Sequence, residues 1–171
     1  MQYHLARLGR SLGYKVWIAQ NDHKRQWNNR ALGEWSLPVL PPLNVPKAAS
    51  DTISFIDVLW LDAEDGIVSA FEVEKSTSIY SGILRLHDLA LSLNHPECHL
   101  FLISPDTRER EVQAQLLRPS LQQDKIRNLS YVLFSDLRCD CDAMCKYGRS
   151  VEVLDKITRK PAAGGAASEV S

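Results

Sequence analysis

Apolar and polar positions change period several times along this chain, and each change marks an element. Leu5, Ala6, Leu8 and Leu12 recur at helical spacing and stop at Gly13, which predicts an N-terminal helix. Tyr14 to Ala19 then has the look of a short strand. From residue 20 to residue 50 periodic apolar positions are sparse, and Trp27, Trp35 and the run LPVLPPLNVP predict a long irregular connection. Ile53 to Leu61 (ISFIDVLWL) is almost unbroken apolar sequence, the pattern of a strand covered on both faces, with Asp57 as its one charge. The turn chemistry of DAEDG, Asp62 to Gly66, leads into a return strand from Ile67 to Glu74.

A helix follows, with Ser76 or Thr77 as its cap and an apolar stripe of Ile79, Ile83, Leu86, Ala90 and Leu93. HLFLIS, His99 to Ser104, predicts another buried strand; Asp106 to Leu117 predicts a helix stopped by Pro119, and Leu129 to Phe134 a last strand. The order helix, strand, hairpin, helix, strand, helix, strand specifies an α/β fold. Its sheet is mixed and flanked by helices, because the hairpin is antiparallel and the later crossovers are parallel. Residues 1–160 form one domain in this reading, and the tail PAAGGAASEVS from Pro161 has nothing to bury and is expected to be disordered.

The stretch FEVEKSTSIYSGILRL, Phe71 to Leu86, carries the candidate chemistry. Strand alternation puts Phe71, Val73 and Lys75 on one face and gathers Glu72 and Glu74 on the other. With a four-residue hairpin loop, Ala63 to Gly66, paired residue numbers sum to 129 and Asp57 falls opposite Glu72. Three carboxylates then share one patch, and like charges so placed destabilise the sheet unless something neutralises them. A divalent cation does so: Mg²⁺ takes one or two carboxylates and completes its shell with water and phosphate oxygens.

A strand aspartate followed some fifteen residues later by Glu-x-Glu, set in this order of elements, resembles the PD-(D/E)XK nuclease superfamily of restriction and repair endonucleases. The resemblance spans roughly Leu5 to Phe134. It implies a restriction endonuclease-like core and Mg²⁺- or Mn²⁺-dependent hydrolysis of DNA phosphodiesters. Asp57, Glu72 and Glu74 would be metal ligands, and those three with Lys75 the catalytic set. Glu74 stands where the superfamily usually has Lys, some of its restriction enzymes being similar in using Glu there, and Lys75 follows it. Ser76, Tyr80 and Arg85 on the next helix are candidates for phosphate contact, an Arg85–Asp88 surface pair being the ordinary alternative for Arg85. The alternative function is a domain that keeps the fold and binds nucleic acid or a protein partner without cutting.

Charge distribution adds a candidate surface. The whole chain has a net charge of -1, yet residues 1–30 hold Arg7, Arg10, Lys15, Lys24, Arg25 and Arg30 against Asp22 alone, six against one or about +5. Arg7, Arg10 and Arg25 are therefore candidate DNA contacts. With 44% apolar and 24% charged residues and no apolar run near the roughly 18 residues of a membrane span, the chain is expected to be soluble and cytoplasmic. It is expected to act as a homodimer or as one domain of a larger nuclease system. Cys139, Cys141 and Cys145 lack a fourth ligand at a zinc-site spacing and are expected to be reduced thiols.

Overall fold

The computed structural model describes residues 1–43, 45–74, 79–93, 98–121 and 129–161. Helix α1 (Gln2–Ser11) leads through Gly13, at φ 89°, into strand β1 (Lys15–Ile18). A small hairpin follows, β2 (Gln26–Trp27) and β3 (Arg30–Ala31), and then helix α2 (Lys47–Ile53). Strands β4 (Val58–Leu61) and β5 (Ile67–Val73), helix α3 (Ile79–Ser92), strand β6 (His99–Ser104), helix α4 (Glu109–Leu116), strand β7 (Leu129–Leu133) and helix α5 (Phe134–Tyr147) complete the chain.

Five strands form one mixed sheet in the order β1-β4-β5-β6-β7. The first three are antiparallel neighbours, and β6 and β7 join in parallel after helical crossovers. Both faces are covered. Leu59, Leu61, Ala70, Leu100 and Leu102 pack on one face with Ile53 of α2, Ile83 and Leu86 of α3 and Val112 of α4. Val58, Trp60, Phe71, Phe101 and Ile103 pack on the other with Leu5 and Leu8 of α1 and Leu137 and Met144 of α5. This double cover is why β4 and the middle of β6 read as continuous apolar runs rather than alternating ones. Among the described residues no helix is long and apolar enough to cross a membrane.

The hairpin between β4 and β5 reaches the expected register by a different route. Asp62 N–H donates to the Gly66 carbonyl at 2.9 Å, so only three residues form the loop, with Asp65 at φ 66° and the Asp62 carboxylate accepting from Glu64 and Gly66 N–H. A three-residue loop alone would give pairs summing to 128, as Leu61 and Ile67 do. A β-bulge between Trp60 and Leu61 then restores the sum of 129 for Trp60–Ser69, Leu59–Ala70 and Val58–Phe71. Carried one residue further, the register sets Asp57 opposite Glu72.

Several expectations need correction. The segment 20–50 is not irregular throughout: it contains β2, β3, α2 and two 3-10 turns, Gln20–Asp22 and Leu32–Trp35. Ile53 ends α2 and packs into the core from there, so the apolar run ISFIDVLWL is a helix end plus a strand, and Asp57 lies just before β4. Periodicity cannot separate a short buried helix end from a strand. Helix α5 fills a stretch after the last strand to which the sequence pattern assigned no element; its Leu137, Cys141 and Met144 bury toward α1 and the sheet. The capping roles expected of Ser76 or Thr77 lie outside the described residues, as does the tail beyond Pro161. The cysteine cluster is split around α5, with Cys139 exposed, Cys141 buried and Cys145 half-buried; all the described cysteines are free thiols.

Gly9 shows how closely α1 meets the sheet. A Cβ built on Gly9 falls 2.4 Å from the indole Nε1 of fully buried Trp60, which itself donates to the Leu5 carbonyl at 3.1 Å. Alanine in a helix interior ordinarily gains about 1 kcal/mol over glycine. Here overpacking costs about 1–3 kcal/mol. Gly9→Ala is therefore expected to be destabilising, read as a lower urea midpoint at an unchanged slope.

Candidate functional site

Glu72 lies on the central strand of the sheet and is completely buried. Alternation along β5 turns it, with Glu74 just beyond the strand end, toward α3, while Phe71 and Val73 face the α1 side. Arg85, a turn and a half into α3, meets Glu72 with a two-pronged fork, Nε to Oε1 at 2.8 Å and Nη2 to Oε2 at 2.7 Å. The Arg85–Asp88 alternative is set aside by this pair, which spans 13 residues of sequence. Gly82, one turn earlier on α3, leaves room for the second carboxylate: a Cβ there would sit 2.4 Å from Glu74 Oε1 and 3.3 Å from the Glu72 Cβ. Glu74 is also buried, and its N–H continues the parallel ladder to the Ile103 carbonyl at 2.9 Å.

Asp57 joins this group from the residue just before the neighbouring strand, β4. Its backbone carbonyl accepts from Ala19 N–H at 3.2 Å and its Oδ2 from Val73 N–H at 2.7 Å, so it closes the ladder of β4 on both sides. Its Oδ1 accepts from Gln2 Nε2 at 3.0 Å. The same amide nitrogen donates to Oδ2 of buried Asp22 at 2.5 Å, and Arg25 Nη1 reaches Asp22 Oδ1 at 3.0 Å. Flanked by two carboxylates, the Gln2 side chain has to present its nitrogen to both. A relay Arg25–Asp22–Gln2–Asp57 thus leads from the loop after β1 to the end of the sheet.

Electrostatics mark the cluster as strained. Burial pushes Asp57 up to about 6; the Val73 N–H opposes the rise, Asp22 and Glu74 add to it, and Arg85 opposes it. Burial pushes Glu72 up to about 8; the Arg85 fork holds it down, and Asp57 and Glu74 push it further up. Asp57, Glu72 and Glu74 therefore feel one another, as the register implies. Among the described residues, no group of three or more His, Cys, Asp or Glu side chains is gathered tightly enough to hold a metal ion. Glu72 gives both oxygens to Arg85, and each oxygen of Asp57 already has one donor.

The remaining sequence candidates are dispersed. Arg7 pairs with Asp142 on α5, and Arg10 donates to the Glu34 carbonyl at 3.3 Å while its guanidinium lies over Trp35. Arg25 is held by Asp22. Tyr80 is exposed, with the Arg118 guanidinium 5.1 Å from its ring, and lies about 140° around α3 from Arg85. Lys75 and Ser76 lie outside the described residues. Sequence reading missed Gln2, Asp22 and Gly82. Asp22 had a signal, being the lone acid among six cations, but Gln2 and Gly82 act only through contacts across the fold.

Two predictions follow from the buried pair. Removing Arg85 leaves Glu72 without its counter-charge, so above about pH 8, where Glu72 is ionised, Arg85→Met is expected to cost about 3–5 kcal/mol in urea unfolding. Adding Glu72→Gln should recover part of that loss, the non-additivity being the signature of direct coupling. The second concerns pH. Asp57 and Glu72 bind protons more tightly in the fold than at their ordinary values of 3.8 and 4.5. Their contribution to stability is therefore fully present below those values and is lost as pH rises to about 6 and about 8. The melting temperature should fall across that interval, and Glu72→Gln should flatten the upper part of the fall while leaving the part due to Asp57.

Comparison with known proteins adds a family. The family model of the type II restriction enzyme NmeDI C-terminal domain matches residues 1–160. No curated protein and no solved structure matches the chain. With nearly its whole length covered by that model, the chain belongs to the type II restriction enzyme NmeDI C-terminal domain family.

Proposed function

We propose that this domain is a divalent-metal-dependent endonuclease of restriction or defence type, hydrolysing DNA phosphodiester bonds. The observation that carries the proposal is the meeting of Asp57, Glu72 and Glu74 at one end of the sheet, on the α3 face, where two of them are held well above their ordinary pKa values. The family, that of a type II restriction enzyme domain, supplies DNA as the substrate class. The resemblance to the PD-(D/E)XK superfamily supports the same assignment of roles.

Carboxylate oxygens are the donors that Mg²⁺ or Mn²⁺ prefers, but among the described residues they do not stand close enough together to hold an ion, and Arg85 occupies both oxygens of Glu72. Asp57, Glu72 and Glu74 would hold it only after drawing closer than they stand. When bound, the cation would polarise the phosphodiester and lower the pKa of an attacking water. The chain's own groups do the rest. Val73 N–H and Gln2 keep Asp57 aimed, the Arg85 fork keeps Glu72 in place, and Gly82 lets Glu74 lie against α3. Glu74 is the group assigned to accept a proton from water, and Lys75 or Arg85 to stabilise charge on the phosphate.

A second function, DNA or protein binding without cutting, is favoured by one observation: both oxygens of Glu72 are already engaged by Arg85. Metal-dependent stabilisation separates the two. An intact site should gain about 2.7 kcal/mol at a metal concentration 100 times its Kd, whereas a non-catalytic face should not respond.

Cleavage of plasmid DNA with Mg²⁺, with Mn²⁺ and with EDTA tests the proposal directly. Asp57→Asn is expected to lower cutting by orders of magnitude while DNA affinity in EDTA persists or rises, because a charge that repels phosphate is gone. Glu74→Lys, which installs the residue usual in the superfamily, should keep some metal-dependent activity, and Glu74→Leu none. Undiminished cutting by Asp57→Asn, or no cutting by the parent with either metal, would transfer the assignment to the non-cutting function.

A further inference from the structure

The β2–β3 hairpin has no part in the carboxylate site, yet it is built with unusual care for a surface ribbon. Arg25 and Leu32 close its base, Leu32 N–H donating to the Arg25 carbonyl at 2.8 Å. Gln26 pairs with Ala31 and Trp27 with Arg30, leaving Asn28 and Asn29 as a two-residue turn at φ 48° and 60°. Two consecutive left-handed residues are what the tight turn favoured between right-twisted strands requires, and asparagine tolerates that conformation. Every residue from Lys24 to Arg30 is exposed.

A two-stranded ribbon this short is not stable by itself. What holds it is an aromatic platform on α1 and the following turn. Trp27 stacks on Tyr3 with ring centres 6.1 Å apart and meets His4 edge-on, while Trp35 meets Tyr3 edge-on at 5.2 Å. The Arg30 guanidinium lies over Trp35 at 5.1 Å and pairs with Glu34. The ribbon is therefore fixed in direction before any partner arrives. Its base is wired to the carboxylate site by the relay from Arg25 through Asp22 and Gln2 to Asp57.

Its dimensions and chemistry suit duplex DNA. From Arg25 to Asn28 an extended chain covers about 10 Å, against a major groove roughly 8.5 Å deep that admits a two-stranded ribbon. Lys24, Arg25 and Arg30 stand at its base and flank, where phosphates would lie, with Arg25 also paired to Asp22 and Arg30 to Glu34. The tip carries two side-chain amides, each offering a donor and an acceptor together, the combination that pairs with an adenine edge.

We propose that the β2–β3 hairpin is the base-reading element of this domain, entering a groove of duplex DNA with the Asn28 and Asn29 amides at its tip. The assignment rests on the DNA function proposed above and adds to it where sequence is read. Trp27 and Trp35 act as positioning residues that aim the ribbon, and the cations at its base fix its register on the backbone.

The test is selection from a pool of double-stranded DNA with a randomised centre, performed in EDTA and in Ca²⁺, with the parent and with Asn28→Gly/Asn29→Gly. Glycine accepts both left-handed positions, so the turn survives while the amides are lost. The parent should enrich a common sequence. The variant should lose roughly 10- to 100-fold of the preference for that sequence over a scrambled duplex while keeping its affinity for the scrambled one, the size of one or two base contacts. An unchanged preference in the variant, or a parent that binds DNA without preference, overturns the base-reading role and leaves the nuclease proposal standing. Equal loss on both duplexes makes the hairpin a backbone contact and also overturns it. A parent that binds no DNA at all removes the DNA function on which the assignment rests.

Discussion

Placing a carboxylate with no solvent exposure on the central strand of the sheet is the constraint around which this molecule is arranged. An ionised group of that kind is several kcal/mol out of balance unless paired and hydrogen-bonded. Glu72 meets it with the fork of Arg85, and the fork sets where α3 must lie, because both prongs have to reach across from the helix to β5. With α3 so placed, a Cβ at position 82 would fall 2.4 Å from Oε1 of the next carboxylate, Glu74, which would then have to shift, and Gly82 stands there. The helix stripe of Ile79, Ile83 and Leu86 then fills the core on the same face.

The end of the sheet depends on a second closure. Asp57 replaces a backbone acceptor for Val73 and links, through Gln2, to Asp22 and Arg25. Ground-state repulsion among Asp57, Glu72 and Glu74 is tolerated because each is tied to a donor or buried against the helix. The same network joins Asp57 to Arg25 at the base of the β2–β3 hairpin.

Some sequence expectations hold through compensation. A four-residue loop between β4 and β5 would set Asp57 against Glu72, and the molecule reaches that pairing with a three-residue loop and a bulge, each shifting the register by one in opposite senses. Turn chemistry in DAEDG allowed either loop. The bulge has no marker in the sequence, since Val68 and Ser69 are ordinary strand residues. The choice is made by packing: only a sum of 129 turns Leu59 and Ala70 to one core and Val58, Trp60 and Phe71 to the other.

What the sequence determined by itself is whatever rests on local periodicity and burial. Strands β5, β6 and β7, helices α1, α3 and α4, the mixed sheet and the shared face of Glu72 and Glu74 are all legible there, because an apolar run or stripe has few ways to hide from water. Tertiary structure decided the rest. Ile53 became a helix end because α2 could pack it into the core; Arg85 chose Glu72 over its near neighbour Asp88 because a buried carboxylate outbids a solvated one. Gln2 and Asp22 joined the site only because α1 and the loop after β1 meet the end of the sheet. Such contacts join residues 20 or 55 apart in sequence, as Gln2 does with Asp22 and Asp57, and no spacing rule along the chain encodes them.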